Sequence, residues 1–538
     1  MSVRRVMGTE TEYAVSVRQD PHANPVQSSF DVIAHAGDEE TRHIRWDYRQ
    51  EDPVHDMRGM TMPRAAARPD MLTDEPQRNI TNTFAANGGR MYVDHAHPEY
   101  SAPETRDPFE AVAYDFAGDL LMRQAAQSAS TERHQFEVFR NNADGKGAAW
   151  GSHENYLLRR DVDFDVVTAL MLVHFATRQI YTGSGRVGLG ERGERAGYQL
   201  SQRADYFHMK VGLQTTFDRP IVNTRDESHA PDEMRRLHVI VGDANRLEVP
   251  DVLKLGTTSM LLWVAEQASA LDYDLTDELR SLSLLDSVAA MHTVSHDLTF
   301  DEPLALANGG SSTAWQLQVS LRGLVYEVAS MVYGTDSLGE PVWPDSQTRS
   351  VMAMWQQALI DVAEVRHADD DTRMTMTAQA SRLEWLLKWQ LLERMRRRIA
   401  GCGASSASGW DNPQVRALEL RWASLAPENE AVFAKVRSRA ERVVTDERIA
   451  AAATDAPADT RAWFRAAILH RFPTELRAIS WTRITTVADG AGDSWTLDMR
   501  DPTRFTKDDT ERQGGGASRA AQLLRGLRGV CEHLVVVR

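Results

Sequence analysis

The chain has 538 residues, 42% of them hydrophobic, which exceeds what one growing apolar core accommodates and leads us to expect a large domain followed by a smaller one. Its formal net charge of −16 argues against nucleic-acid backbone as the main partner, and no apolar run has the length of a signal peptide or a bilayer span. Cys402 and Cys531 lie far apart without metal-ligand spacing, so reduced thiols in a cytoplasmic protein are expected.

Arg4 to Val17 reads as a strand in which Glu10 and Glu12 share a face, because side chains alternate. Residues 18–81 are rich in Asp, Arg, His and Pro, show poor periodicity and contain Arg45-Trp46-Asp47-Tyr48. A stretch of that length without a pattern reads as a mobile insertion near a site. Arg90 to Val93 forms a strand that delivers Asp94 onto a tight turn, and Glu99 follows beyond the stiff His97-Pro98 step. Asp107-Pro108 starts a helix running to about Ser128, with Phe109, Val112, Phe116, Leu120 and Leu121 at helical spacing. Phe136 to Arg140 is a strand, and the loop Gly145 to Gly151 leads into another that begins with His153 and Glu154. No second His follows at the spacing a zinc-peptidase helix requires.

A helix from Asp163 reaches about Tyr181, and the glycine-rich run after it lacks the strand-to-helix setting of a dinucleotide fingerprint. Two strand-like segments then carry Arg203 and Arg225, and an apolar strand places His238 on the side of Ile240 and Gly242. From Asp251 amphipathic patterns cover about 251–269, 276–292, 313–333, 346–365, 376–400 and 412–425, and 401–409 reads as a flexible connection. Helices near 429–444 and 460–471 precede two strands, AISWTRITT and SWTLDMRDP, and a last helix from Ala517 to Glu532. The expected division is a catalytic domain over 1–430 and a small domain over 431–538.

The first half thus offers acids at 10, 12, 94, 99 and 154, a His at 238, and arginines at 90, 203 and 225. Hard divalent cations take carboxylate oxygens and bridge to phosphate, while arginines grip phosphate oxygens. With no G-x-x-x-x-G-K-[ST] in the chain, this composition points to Mg²⁺-nucleotide binding without a P-loop. Asp94 is left for chemistry, as nucleophile or general base.

The runs MGTETEY, RMYVDHAHPEYSAPE, NNADGKGAAWGSHENY, SQRADYF, VNTRDESHA and RRLHVIVGDANR, with SWTRITT further on, together resemble the Pup ligase and depupylase family. The large domain of that family resembles glutamine synthetase and other carboxylate-amine ligases. The resemblance implies an α+β fold: a large glutamine synthetase-like domain with a curved, mainly antiparallel sheet packed by helices, and a small C-terminal α/β domain. It implies metal ligation at Glu10, Tyr92, Glu99, Glu154 and His238, and ATP contacts at Arg90, Ser101, Tyr156, Arg203, Arg225 and Trp481. Asp94 matches the essential aspartate.

Two activities occur in the family. Ligases activate the C-terminal glutamate of the small disordered tag Pup and join it to a lysine; depupylases hydrolyse that isopeptide bond and deamidate a C-terminal glutamine of Pup. The MGTETEY opening and the insertion bearing RWDY resemble the depupylase, for which ATP and Mg²⁺ are required cofactors and ATP is not consumed each turnover. Pup and pupylated proteins are the implied partners, with Pup folding as helices into a groove of a monomeric enzyme. The competing readings are the ligase, an idle Pup-binding adaptor, and a small-molecule carboxylate-amine ligase.

Overall fold

Six antiparallel strands carry the site, in the order Met234–Val239, Ser152–Arg159, Met7–Glu12, His97–Ser101, Arg90–Asp94 and Asn82–Phe84. The structure, a computed structural model, describes residues 3–63, 65, 82–193, 197–401, 406–427, 431–488, 492–514, 516–527 and 534–537. Both cysteines and residues 66–81 of the expected insertion lie outside them, as do residues 402–405 of the expected flexible connection.

One face of the sheet is covered by helices. Asp107 caps helix Pro108–Ala129 by accepting from the backbone N–H groups of Phe109 and Glu110, and Pro108 occupies the first turn, where no N–H is needed. Helix Glu248–Leu271 is buried along most of its length, and helices Phe164–Thr177, Ala314–Tyr333 and Ser346–Arg366 complete an apolar mass continuous with the sheet. The helices expected at 251–269, 313–333, 346–365, 412–425 and 460–471 are present, whereas the 276–292 pattern divides into Thr276–Leu282 and Ser287–His296, the 376–400 pattern into Thr377–Ala380 and Glu384–Gly401, and the helix expected near 429–444 is reduced to Val432–Val436.

A second, smaller apolar cluster gathers Phe464, Ile468, Ile479, Ile484, Leu497 and Leu523. Its sheet runs Leu534–Val537, Ser494–Asp498, Arg483–Thr486, Leu476–Ile479, and finally Arg45–Trp46 added in parallel. Phe433 and Ile449 belong to the large cluster. Among the described residues the last helix is Ala520–Gly526; residues 528–532 of the expected helix lie outside them, and the strand Leu534–Val537 comes after.

The segment after residue 18 departs from the expected patternless loop. Asn24 caps helix Pro25–Ala34, which packs on helix Pro108–Ala129, and Arg45–Trp46 becomes an edge strand of the C-terminal sheet. The sequence carries little signal of either element, because the buried apolar positions of the helix are only Val32 and Ile33 and the strand is two residues long. Among the described residues no helix is long and apolar enough to cross a membrane.

Candidate functional site

Alternation decides which side chains leave the helix-covered face. On Met7–Glu12, Thr11 turns to Asp115 of helix Pro108–Ala129 through a 2.9 Å hydrogen bond, so Glu10 and Glu12 face the other way. The register then sets His153 and Ser101 beside Glu10, and Glu99 beside Glu12 on one side and Tyr92 on the other. His238 lies across from Asn155. These residues, except Asn155, line a cavity of about 360 Å³ together with Asp94, Arg90, Arg203, Arg219, Arg225, Arg236 and Trp481. Tyr48, Glu51 and Pro53, from the segment expected to lie near the site, line it too. A smaller cavity of about 80 Å³ adjoins it and shares Glu10, Ser101, His229, Arg236 and Trp481.

Asp94 sits at the corner of the Arg90–Ser101 hairpin, paired with His97 across a two-residue turn in which His95 adopts φ 51°. Carboxylate oxygens of Asp94, Glu12 and Glu99 come within 4.8 Å of one another. Glu99 also accepts from the Tyr92 hydroxyl at 2.7 Å, Glu10 accepts from the Asn155 amide at 3.1 Å, and Glu12 lies 3.4 Å from His153 Nε2. The His153 and His238 rings are 5.1 Å apart.

This crowding displaces the acids in opposite directions. Burial, then the Asp94, Glu10 and Glu12 charges, pushes the Glu99 carboxyl well above the usual carboxylate range. Burial also opposes ionisation of Glu12, yet the hydrogen bond and charge of His153, followed by His97, hold it at about 2. Burial, and then the Glu99 and Glu10 charges, raises the Tyr92 phenol far above 10, so it donates its proton. Burial, then Arg236 and His153, keeps His238 well below 6.5 and therefore neutral.

A bound divalent cation and phosphate fit these donors. Clustered carboxylates are the ordinary ligands of a hard cation, to which neutral imidazoles can add, and a cation opposes the burial and the neighbouring negative charges that raise the Glu99 carboxyl. Buried polar atoms around the cavity lack partners: Nε of Arg203, Nε of Arg225, Nδ1 of His153 and Nε1 of Trp150. Unmet donors grouped with an acidic cluster are what a phosphate-bearing ligand would satisfy.

Two of the expected contacts are corrected. Glu154 and Tyr156 point to the helix-covered face: the Arg178 guanidinium donates to Glu154 at 3.0 Å and the Tyr156 hydroxyl at 2.6 Å, and both residues are fully buried. Glu154 is thus a buried ion-pair partner, and the residues of that strand that share the face of the site are His153 and Asn155. The remaining expected residues (Glu10, Arg90, Tyr92, Asp94, Glu99, Ser101, Arg203, Arg225, His238 and Trp481) line the cavity. Arg203 commits Nη1 to the Trp150 carbonyl and Nη2 to the Ile240 carbonyl, leaving Nε. Glu12, one of the acids the sequence offers but not among those the resemblance implies as ligands, belongs to the cavity as well, as do His97, Arg219 and Arg236, which the sequence does not mark. The shared face of Glu10 and Glu12 was the available signal for Glu12.

Residues 5–485 match the family model described as Pup-ligase protein. The chain is 38% identical over 512 residues to a depupylase of Acidothermus cellulolyticus, covering 94% of this chain and 95% of that one. It is 33% identical over 460 residues to a Pup–protein ligase of Bifidobacterium adolescentis, covering 82% and 88%. The structure of the Pup ligase PafA in complex with ADP superposes with a TM-score of 0.66 at 26% identity, covering 84% of this chain and 90% of that one.

Proposed function

The chain belongs to the Pup-ligase family, and from that premise we propose that it is a depupylase, hydrolysing the isopeptide bond between the C-terminal glutamate of Pup and a substrate lysine. It would also deamidate a C-terminal glutamine of Pup. The match to a depupylase spans 94% of the chain, whereas the match to the ligase spans 82%. The observation that carries the chemistry is the convergence of Asp94, Glu12 and Glu99 within 4.8 Å in a cavity rimmed by arginines.

Glu10, Glu12, Glu99, Tyr92, His153 and His238 would hold Mg²⁺, and Arg90, Arg203, Arg219, Arg225, Ser101, Asn155 and Trp481 would hold ATP; the likeness to the Pup ligase PafA in complex with ADP supports a nucleotide here. Once bound, the cation would supply positive charge against a developing oxyanion, and the nucleotide beside it would not be consumed each turnover. Asp94, half-exposed at a rigid hairpin corner, attacks the amide carbonyl or takes a proton from the attacking water. In the first route the lysine amine leaves with a proton from water and a second water hydrolyses the Asp94–glutamyl anhydride; in the second, Asp94 returns the proton it took to the departing amine; both leave the Pup glutamate as its carboxylate. A further cavity of about 590 Å³ shares His97 and Trp150 with the site, and in this reading it would receive the C-terminal end of Pup.

The reading keeps a catalytic domain over residues 1–430 and a small domain over 431–538; within the latter the smaller apolar cluster begins at Phe464 and also takes in Ile44, Trp46 and Phe84, while Phe433 and Ile449 pack in the large cluster. A cytoplasmic monomer completes the reading. Replacement of Asp94 by Asn tests it: cleavage and deamidation are lost while nucleotide binding is retained, and an active variant removes Asp94 from the chemistry.

A further inference from the structure

Trp46 lies at the junction of three parts of the molecule. Its backbone pairs in parallel with Ile479, and the N–H of Asp47 donates to the Ile479 carbonyl at 2.8 Å. Its ring is buried in the small apolar cluster, 5.2 Å from Trp481 edge-on and 6.1 Å from Phe84. Over that ring, 4.0 Å from its centre, sits the guanidinium of Arg90, which also lies 3.8 Å from the centre of the Tyr92 ring and, farther off, 5.5 Å from that of Tyr48.

The polar contacts fix Arg90 further. Nε donates to Asn82 Oδ1 at 2.8 Å and Nη2 to the Tyr48 hydroxyl at 3.1 Å. Trp46 Nε1 donates to Glu51 Oε1 at 2.6 Å, and that same oxygen lies 3.9 Å from Arg90 Nη1, beyond hydrogen-bond distance. The arginine is thus held between two aromatic faces, with Nη1 near a carboxylate it does not bond.

We propose that Trp46 is a positioning residue for nucleotide binding, clamping Arg90 against Tyr92 so that its guanidinium meets the phosphates already ordered. An exposed arginine gives up rotamer freedom when it binds phosphate; one stacked on both faces has given it up during folding. The geometry explains why the segment after residue 18 adds a strand to the C-terminal sheet. That strand delivers Trp46 to Arg90 and links the small domain to the nucleotide. This inference rests on the reading of Arg90 as a nucleotide contact.

The test is a double-mutant cycle on the full chain, reading the Kd for ATP with Mg²⁺ beside the KM for a pupylated protein. Trp46→Ala is expected to weaken ATP by about fivefold to tenfold with that KM unchanged, and Trp46→Phe to recover part of the loss. In an Arg90→Gln background the Trp46 substitution should add nothing. If W46A fails to fold, W46F carries the same cycle. Wild-type ATP affinity in the Trp46 variants, or an effect undiminished by Arg90→Gln, overturns the proposal. A wild-type chain that binds no ATP overturns the nucleotide reading itself, and this proposal with it.

Discussion

The Tyr92 hydroxyl donates to Glu99 Oε1 at 2.7 Å between directly paired residues of the hairpin that carries Asp94. The phenol keeps its proton at any working pH and so orients a carboxyl that burial and neighbouring acids otherwise push toward neutrality. Tyr92→Phe leaves the hairpin intact and releases Glu99. We expect the Mg²⁺ concentration for half-maximal activity to rise by about 10-fold or more, the usual range for groups that orient metal ligands. A Mg²⁺ titration of cleavage checks this, and an unchanged midpoint removes Tyr92 from the metal site.

Glu154 and His153 are neighbours on one strand with opposite duties, and two substitutions separate them. Glu154→Gln weakens the buried pair with Arg178 and should cost about 3 kcal/mol of stability while leaving Mg²⁺ dependence in place. His153→Ala should shift Mg²⁺ dependence at a much smaller cost in stability. Thermal melts and Mg²⁺ titrations of both variants give the answer, and the reverse pattern would restore Glu154 as the ligand.

Those two residues show what the sequence could convey. Alternation identifies the sets 153/155 and 154/156, and it identifies 10/12 as a pair, but it does not say which set faces the helices. Arg178, the partner that decides the matter, is 24 residues from Glu154. The long helices and the Asp94 hairpin were legible because their determinants are local: caps, prolines and helical spacing. Trp46 was not placed, since its strand partner Ile479 and its cation partner Arg90 are remote in sequence. Arg219 and Arg236 carry no local mark that separates them from surface arginines.

Glu104 joins the large domain to the C-terminal one. Arg461 Nε and Arg465 Nη2 donate to it at 2.7 and 2.6 Å. Burial raises its carboxyl, but Arg465 and then Arg461 outweigh that and hold it at about 2, against an ordinary value of 4.5. A depressed folded-state value stabilises fully above the ordinary value and is lost as the pH falls from 4.5 toward about 2. The contribution is on the order of 3 kcal/mol. Urea melts should therefore show wild type and Glu104→Gln far apart at neutral pH and converging in acid. A gap independent of pH would exclude this linkage.

The reading as a depupylase is tested most directly by a gel assay of the purified chain with Mg²⁺ and ATP. One tube holds a pupylated protein, and the other holds Pup ending in glutamate with an acceptor protein. We predict intact Pup and free acceptor in the first tube, no conjugate in the second, and no cleavage by Asp94→Asn. Conjugate forming in the second tube without cleavage in the first would make the chain a ligase and contradict the account.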